Sequence, residues 1–239
     1  MTLDAWLEAH PYLEPVARLV AGVEAAADAA AASPGAAVPD WDAYREEYRA
    51  GVPLLESPSA AVDLAPATAL VATLVSGSGP SGFTRAAGWA VVSRWLAPVL
   101  SAFAAWRDEE AWMRPYCPAC GAAPAMAHLA GTDPGRMRLL VCGACRTRWR
   151  YSRTACPFCE KDERRLNVLA VEGESGLRLD VCEGCNGYLK TYDGGGDEDV
   201  LLLDWTSLHL DVVALDRGLK RLAGSLYELG PLLAEAPRG

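Results

Sequence analysis

The stretch that decides the fold is residues 142–159, which read CGACRTRWRYSRTACPFC. It contains two of four Cys-x-x-Cys pairs, and these pairs account for all eight cysteines of the chain. The gaps between successive pairs are 21, 10 and 22 residues long, so two long gaps flank a short one. Two cysteines separated by two residues can place both sulfurs on one metal ion from a single tight turn.

The gap lengths group the cysteines into two modules. Each module has the form C-x2-C-x(21 or 22)-C-x2-C, which is the four-thiolate spacing of a zinc ribbon or a rubredoxin. The modules also repeat internally at an offset of 39 or 40 residues, and CPAC at 117–120 echoes CPFC at 156–159. We therefore predict two tetrahedral metal sites. The predicted ligands are Cys117, Cys120, Cys142 and Cys145 in the first site and Cys156, Cys159, Cys182 and Cys185 in the second.

The spacing leaves the identity of the metal open. A thioredoxin-type redox pair is the alternative to a metal knuckle, but such pairs usually occur singly at the start of a helix. No C-x2-C-x2-C run occurs, which argues against a [4Fe–4S] cluster. Four thiolates suit zinc and a single iron ion equally well. A zinc site would be structural, whereas an iron site would permit a one-electron role.

The sequence outside the cysteine modules reads as helical. We expect helical structure from Leu3 to about Val23, with a break or helix start at His10-Pro11. Further helices are expected from Asp40 as N-cap to Gly51, over residues 59–75, and over residues 84–112 with a kink at Pro98. A last helix carries leucines, Trp205 and Val212 at alternating steps of four and three between residues 201 and 226. That stripe favours packing against the N-terminal helices, and a coiled-coil homodimer is the alternative.

These patterns predict an α+β protein. It has a mostly helical N-terminal domain (residues 1–115), followed by two tandem rubredoxin-like or zinc-ribbon β modules. The first module covers residues 116–154 and the second covers residues 155–193. Residues 194–239 form a C-terminal helix and tail, and the helix packs back on the N-terminal helices.

Charge and composition exclude several functions. The net charge is −9, and residues 1–116 carry 7 basic and 14 acidic side chains, which argues against nucleic-acid binding. Neither a signal sequence nor a membrane span is visible, so we expect a cytoplasmic protein whose thiols stay reduced. The one basic and aromatic cluster, at residues 146–153, is either a solvated strand face or a docking surface for an acidic partner. No hydrolase motif can be assembled, and no catalytic residue is proposed.

Three segments resemble the formate dehydrogenase accessory protein family, FdhE. They are residues 140–159, 182–190 and 204–211, which read LVCGACRTRWRYSRTACPFC, CEGCNGYLK and DWTSLHLD. The resemblance implies two rubredoxin-like sites that bind iron, with the family's metal ligands falling on all eight cysteines. It also implies a cytoplasmic, non-catalytic helper that contacts the catalytic subunit of a molybdenum- or tungsten-dependent formate dehydrogenase during maturation.

Two other functional classes stay open at this point. A zinc-ribbon module that binds nucleic acid is disfavoured by the acidic balance of the chain. A rubredoxin-type electron carrier would require iron in at least one of the two sites.

Overall fold

The computed structural model describes residues 7–8, 11–30, 35–75, 81–131, 135–160, 166–174, 176–194 and 200–225. Within these ranges the chain forms a helical part, then a β-sheet that contains both cysteine modules, then two short helices. The predicted helical positions at Leu3 and Trp6 and the tail from Pro231 lie outside the described residues. The mixed α+β architecture predicted from the sequence is confirmed.

The helical part contains five helices within the described ranges, preceded by a 3-10 turn at Pro11–Leu13. The helices are α1 (Glu14–Ala30), α2 (Trp41–Ala50), α3 (Ala65–Val75), α4 (Ser81–Trp95) and α5 (Ala97–Trp106). The Asp40 carboxylate caps α2 by accepting a hydrogen bond from the backbone of Asp42 at 3.0 Å, as predicted. The helix ends at Gly51, which adopts a left-handed conformation with φ of 91°.

The predicted kink at Pro98 is a break between two helices. The axes of Gly88–Trp95 and Ala97–Trp106 meet at 61°, and Pro98 occupies the first turn of α5, where its missing N–H costs nothing. The segment ends as a helix at Trp106 and does not reach residue 112. Helix α3 likewise begins only at Ala65, because residues 59–64 form a turn and an extended segment.

An aromatic core joins the helices to the first cysteine module. The rings of Tyr48 and Phe103 meet edge to face at 6.0 Å, and Tyr48 stacks on Trp112 at 5.2 Å. The backbone N–H groups of Leu54 and Leu55 donate to the carbonyl oxygens of Pro118 and Ala119, at 2.9 and 2.8 Å. The first Cys-x-x-Cys turn is therefore attached directly to the helical part.

Both cysteine modules belong to one seven-stranded sheet. The strands are β1 (Pro124–Ala130), β2 (Met137–Cys142), β3 (Arg148–Tyr151), β4 (Leu166–Leu169), β5 (Leu177–Cys182), β6 (Gly187–Asp193) and β7 (Lys220–Arg221). The order is β3-β2-β1-β6-β5-β4, with β7 paired to β6. Each module forms a three-stranded antiparallel meander, and the parallel pairing of β1 with β6 fuses the two meanders.

The prediction of one continuous C-terminal helix is wrong. Residues after 199 form α6 (Val200–Thr206) and α7 (Leu208–Asp216), which are separated at Ser207, and the chain then turns at Gly218 (φ 73°) into β7. The apolar side chains of these helices pack on Met126, Leu179 and Tyr188 of the sheet, and α6 also contacts α1. The break interrupts the stripe on which the coiled-coil alternative depended.

Among the described residues no single helix is both long and apolar enough to cross a bilayer. Only the bent pair Gly88–Trp95 and Ala97–Trp106 meets those criteria, and only when its two helices are taken together.

Candidate metal centres

The fold brings the eight cysteines into the two predicted groups of four. In each group the four sulfur atoms lie within 4.8 Å of one another. The first group joins Cys117, Cys120, Cys142 and Cys145, and the second joins Cys156, Cys159, Cys182 and Cys185. In the first module the first Cys-x-x-Cys pair lies in a turn before β1. In the second module it follows residues 152–155, the linker that leaves β3. The other pair lies at the end of β2 or β5.

The sulfur separations fit a metal ion and exclude disulfides. Cys117 Sγ and Cys145 Sγ are 3.5 Å apart, and Cys120 Sγ and Cys142 Sγ are 3.4 Å apart. The corresponding distances in the second group are 3.8 and 3.7 Å. A tetrahedron with metal–sulfur bonds of about 2.3 Å has sulfur–sulfur edges of about 3.8 Å, whereas a disulfide bond is about 2.0 Å long. Either group could therefore hold one ion with little movement.

All four Cys-x-x-Cys turns share one backbone conformation. The residue after the second cysteine is left-handed in each of them, with φ of 73° at Gly121, 63° at Arg146, 52° at Glu160 and 57° at Asn186. This conformation is costly for residues with a side chain. In the first turn it brings the chain back to the first cysteine, where Cys117 N donates to the Ala122 carbonyl at 2.9 Å. Within the same turn Ala119 N donates to Cys117 Sγ at 3.4 Å.

Equivalent backbone contacts support the second group. Phe158 N donates to Cys156 Sγ at 3.4 Å, and Gly184 N donates to Cys182 Sγ at 3.3 Å. Such N–H donors stabilise a thiolate more than a thiol, because the charged sulfur is the better acceptor. The turns are thus built to receive anionic sulfur.

The thiols would have to lose protons to bind an ion. Burial raises the pKa of the Cys117 thiol and raises that of Cys156 to about 12. Hydrogen bonds from Cys117 and its neighbours hold the pKa of Cys145 well below its usual value. Binding of a metal ion would therefore release protons from the thiols whose pKa is raised.

The two groups differ in their surroundings. Cys117, Cys142 and Cys145 belong to the same buried core as Phe103 and Trp149, and at most 2% of each cysteine is exposed. In the second group Cys159 and Cys185 are partly exposed, and the neighbouring edge strand β4 is open to solvent on both sides. The first group is a core element, whereas the second group lies at the margin of the sheet.

The predicted basic and aromatic face at residues 146–153 does not form. Strand β3 alternates, so Trp149 and Tyr151 are buried and Trp149 Nε1 donates to the Arg114 carbonyl at 2.9 Å. Arg146 pairs with Glu24 and Arg150 pairs with Glu110. The aromatic side chains needed for a stacking surface are therefore core residues, whereas docking of an acidic partner on the arginines stays a prediction.

Neither of the two histidines that the structure describes belongs to a cysteine group. His128 lies buried in β1, where its ring stacks on Tyr192 at 5.8 Å, and His209 Nε2 lies 2.6 Å from Glu174 Oε1. His10 lies outside the described residues.

The sequence reading missed a buried ionic cluster behind the second module. Lys190 Nζ lies 2.8 Å from carboxylate oxygens of both Asp204 and Asp211, and Arg221 pairs with the same two carboxylates. Tyr188 donates to Asp211 at 2.7 Å. The sequence does show charged residues inside otherwise apolar segments. This pattern does not tell which of the charged side chains contact one another. The cluster fixes α6, α7 and β7 onto β6.

Taken together, these features define a class: a mixed α/β protein in which four cysteine turns on one sheet form two groups that could each hold a metal ion. Residues 116–153 match the family described as FdhE, central domain. Two curated relatives named Protein FdhE homolog are similar, from Stutzerimonas stutzeri (36% identity over 118 residues) and Aquifex aeolicus (31% over 130 residues). The chain is thus similar to the FdhE family in sequence across its cysteine region.

The likeness extends to the fold. The crystal structure of the FdhE protein from Pseudomonas aeruginosa superposes with a TM-score of 0.61 at 25% identity, covering 87% of this chain and 86% of that one. The sequence matches are narrower. They cover 46% and 52% of this chain but only 37% and 46% of the relatives from Stutzerimonas stutzeri and Aquifex aeolicus.

Proposed function

We propose that this protein is a non-catalytic accessory factor for the maturation of formate dehydrogenase and that it binds the catalytic subunit of that enzyme in the cytoplasm. Similarity to the FdhE family supports the accessory role. The observation that carries the proposal is the pair of four-cysteine groups, set in a fold that matches an FdhE protein over most of the chain.

The eight cysteines would hold two metal ions, one in each rubredoxin-like module, and we propose iron, with zinc as the alternative. Four sulfur ligands complete a tetrahedral shell, so neither site would keep an open position for a substrate. This closed shell supports a non-catalytic role. A bound ion would stabilise the turns and, in the case of iron, could exchange one electron.

A redox role is the second candidate function, because the second group of cysteines lies near the edge of the sheet. Electron transfer needs a metal close to the surface, and two of the four cysteines there are partly exposed. Reversible one-electron reduction of an iron-loaded protein would support this candidate. A colourless protein that contains only zinc after anaerobic purification from iron-replete cells would exclude it.

Affinity purification tests the accessory role. The tagged full chain, expressed in its native host, is expected to recover the formate dehydrogenase catalytic subunit. A chain with Cys182→Ser and Cys185→Ser is the matched variant that loses one metal group and keeps the other. Repeated failure of the unaltered chain to recover the subunit from cells that express active enzyme would refute the proposal. Elemental analysis of the same anaerobic preparation gives the metal and its stoichiometry.

A further inference from the structure

Arg138 is a buried cation that connects the two cysteine modules. It lies in β2 of the first module, and its side chain is 1% exposed. Its Nη1 donates hydrogen bonds to the carbonyl oxygens of Ser152 at 3.4 Å and Ala155 at 3.1 Å. Its Nη2 lies 3.2 Å from Asp180 Oδ2 on β5 of the second module. One side chain therefore spans the first module, the linker and the second module.

The linker contacts of Arg138 lead directly into the second group of cysteines. Ala155 immediately precedes Cys156, so the hydrogen bond to its carbonyl fixes the peptide unit that enters the Cys156 turn. The buried guanidinium of Arg138 therefore lies beside the Cys156 turn.

The charge on Arg138 is only partly neutralised by Asp180. The same carboxylate pairs with Arg178, whose Nε lies 3.2 Å from Asp180 Oδ1, and accepts a hydrogen bond from Thr191 at 2.8 Å. Asp180 is therefore shared between two guanidinium groups, of which Arg138 is shielded from solvent whereas Arg178 is 30% exposed. Four thiolates around a divalent or trivalent ion carry a net negative charge, which a nearby buried cation stabilises.

This arrangement is not repeated in the first module. At the repeat offset of 40 residues Arg178 is the counterpart of Arg138, and the counterpart of Asp180 is Leu140, which is buried in the core. The carboxylate that receives both arginines therefore exists in only one copy of the repeat. Arg138 would act on the second group specifically, although it belongs to the first module.

We propose that Arg138 is a positioning residue for the second metal site, where it holds the main chain before Cys156 and supplies a cation that stabilises the metal-bound thiolates. The inference rests on the metal occupancy proposed above. Removing a hydrogen bond or charge of this kind beside metal ligands typically lowers metal affinity by about 10–100-fold. The effect falls on the second site and leaves the first unchanged.

Cysteine protection on the full chain tests the inference site by site. The zinc-loaded protein is titrated with a chelator and pulsed with N-ethylmaleimide, and mass spectrometry reports which cysteines have become reactive. In Arg138→Met the four cysteines of the second site are expected to become reactive at a chelator concentration about 10–100-fold lower than in the unaltered chain. The first site of this variant should release its zinc at the same chelator concentration as in the unaltered chain. Arg178→Met is the matched control, since it removes the equivalent arginine, leaves the linker contacts in place and should change release by much less.

Two further variants separate a charge effect from a packing effect. Arg138→Lys keeps the charge and should recover part of the lost affinity. Asp180→Asn removes the neutralising carboxylate but keeps the Arg138 contacts to the linker, so the second site should hold zinc at least as tightly as in the unaltered chain. The inference is overturned if Arg138→Met and Arg178→Met behave alike, if both sites release zinc together, or if Asp180→Asn loses zinc as Arg138→Met does. An unaltered chain with no protected cysteines would refute the metal sites themselves.

Discussion

Loss of the first metal site is expected to destabilise the whole protein, whereas loss of the second is expected to open only part of the sheet. The matched perturbations are Cys117→Ser with Cys120→Ser and Cys156→Ser with Cys159→Ser, because these pairs occupy the same place in the repeat. Cys117 is fully buried in the core that contains Phe103, and its neighbouring carbonyls anchor the chain that follows α2. Each pair has one buried and one partly exposed cysteine, but the second pair belongs to the group beside the open edge strand β4.

The size of the effect follows from linkage. An ion present at about a thousand times its dissociation constant stabilises the folded state by about 4 kcal/mol. In a domain of this length each kcal/mol corresponds to about 2–4 °C in melting temperature, so losing the first site should lower the global melting temperature by about 8–16 °C. Burying serine hydroxyls in place of thiolates destabilises the folded state by about a further 1–3 kcal/mol. The second-site variant should show less than half of this shift.

Hydrogen–deuterium exchange, read together with thermal unfolding, distinguishes the two outcomes. The first-site variant should lose protection in α2, α5 and the first meander. The second-site variant should lose protection in β4 and β5 while α5 stays protected. Equal melting shifts, or early exchange of α5 in the second-site variant, would contradict the assignment of the first group to the core and the second to the margin.

Three further outcomes are expected. Lys190→Met should cost about 3–5 kcal/mol of unfolding free energy, because it leaves Asp204 and Asp211 with one cation fewer in a buried site; chemical denaturation measures this, and Lys220→Met, at an exposed position, should be nearly neutral. Glu160→Gly should raise the unfolding free energy by about 0.5 kcal/mol, because it relieves a left-handed side-chain residue where the first module has Gly121; a decrease would contradict the strain argument. Zinc affinity should fall by at least about tenfold for each unit that pH is lowered between 8 and 6, because thiols with raised pKa values, such as Cys156, take up protons as the ion leaves; competition titrations at several pH values measure this, and a flat profile would contradict it.

The cysteine spacing predicted the two groups because each knuckle is a local structure. Four residues fix the turn, and the gap lengths then leave little choice in which turns meet. The cap at Asp40 and the break near Pro98 were predictable for the same reason, since both depend on neighbours within one helical turn.

The pairing of strands that are distant in the sequence was not predicted. The parallel pairing of β1 with β6 places Ala127 beside Thr191, although the two residues lie far apart in the sequence. The strand patterns alone fit this single sheet and two independent meanders equally well. The stripe between residues 201 and 226 satisfied a helical period, but Ser207 and Gly218 interrupt it and the buried ionic cluster holds the pieces on the sheet. Periodicity identifies apolar faces without saying where the chain turns away from a helix.

The position of a strand in the sheet determines whether a given repeat position is buried or exposed. Arg150 and Lys190 are equivalent at the offset of 40 residues, and each looks like the polar side of a strand. Arg150 lies on edge strand β3, is 38% exposed and pairs with Glu110 at the surface. Lys190 lies on internal strand β6 under α6 and α7, is fully buried, and requires two carboxylates. The different burial of these two repeat positions therefore follows from the place of their strands, because β6 is covered by α6 and α7 whereas β3 is an edge of the sheet.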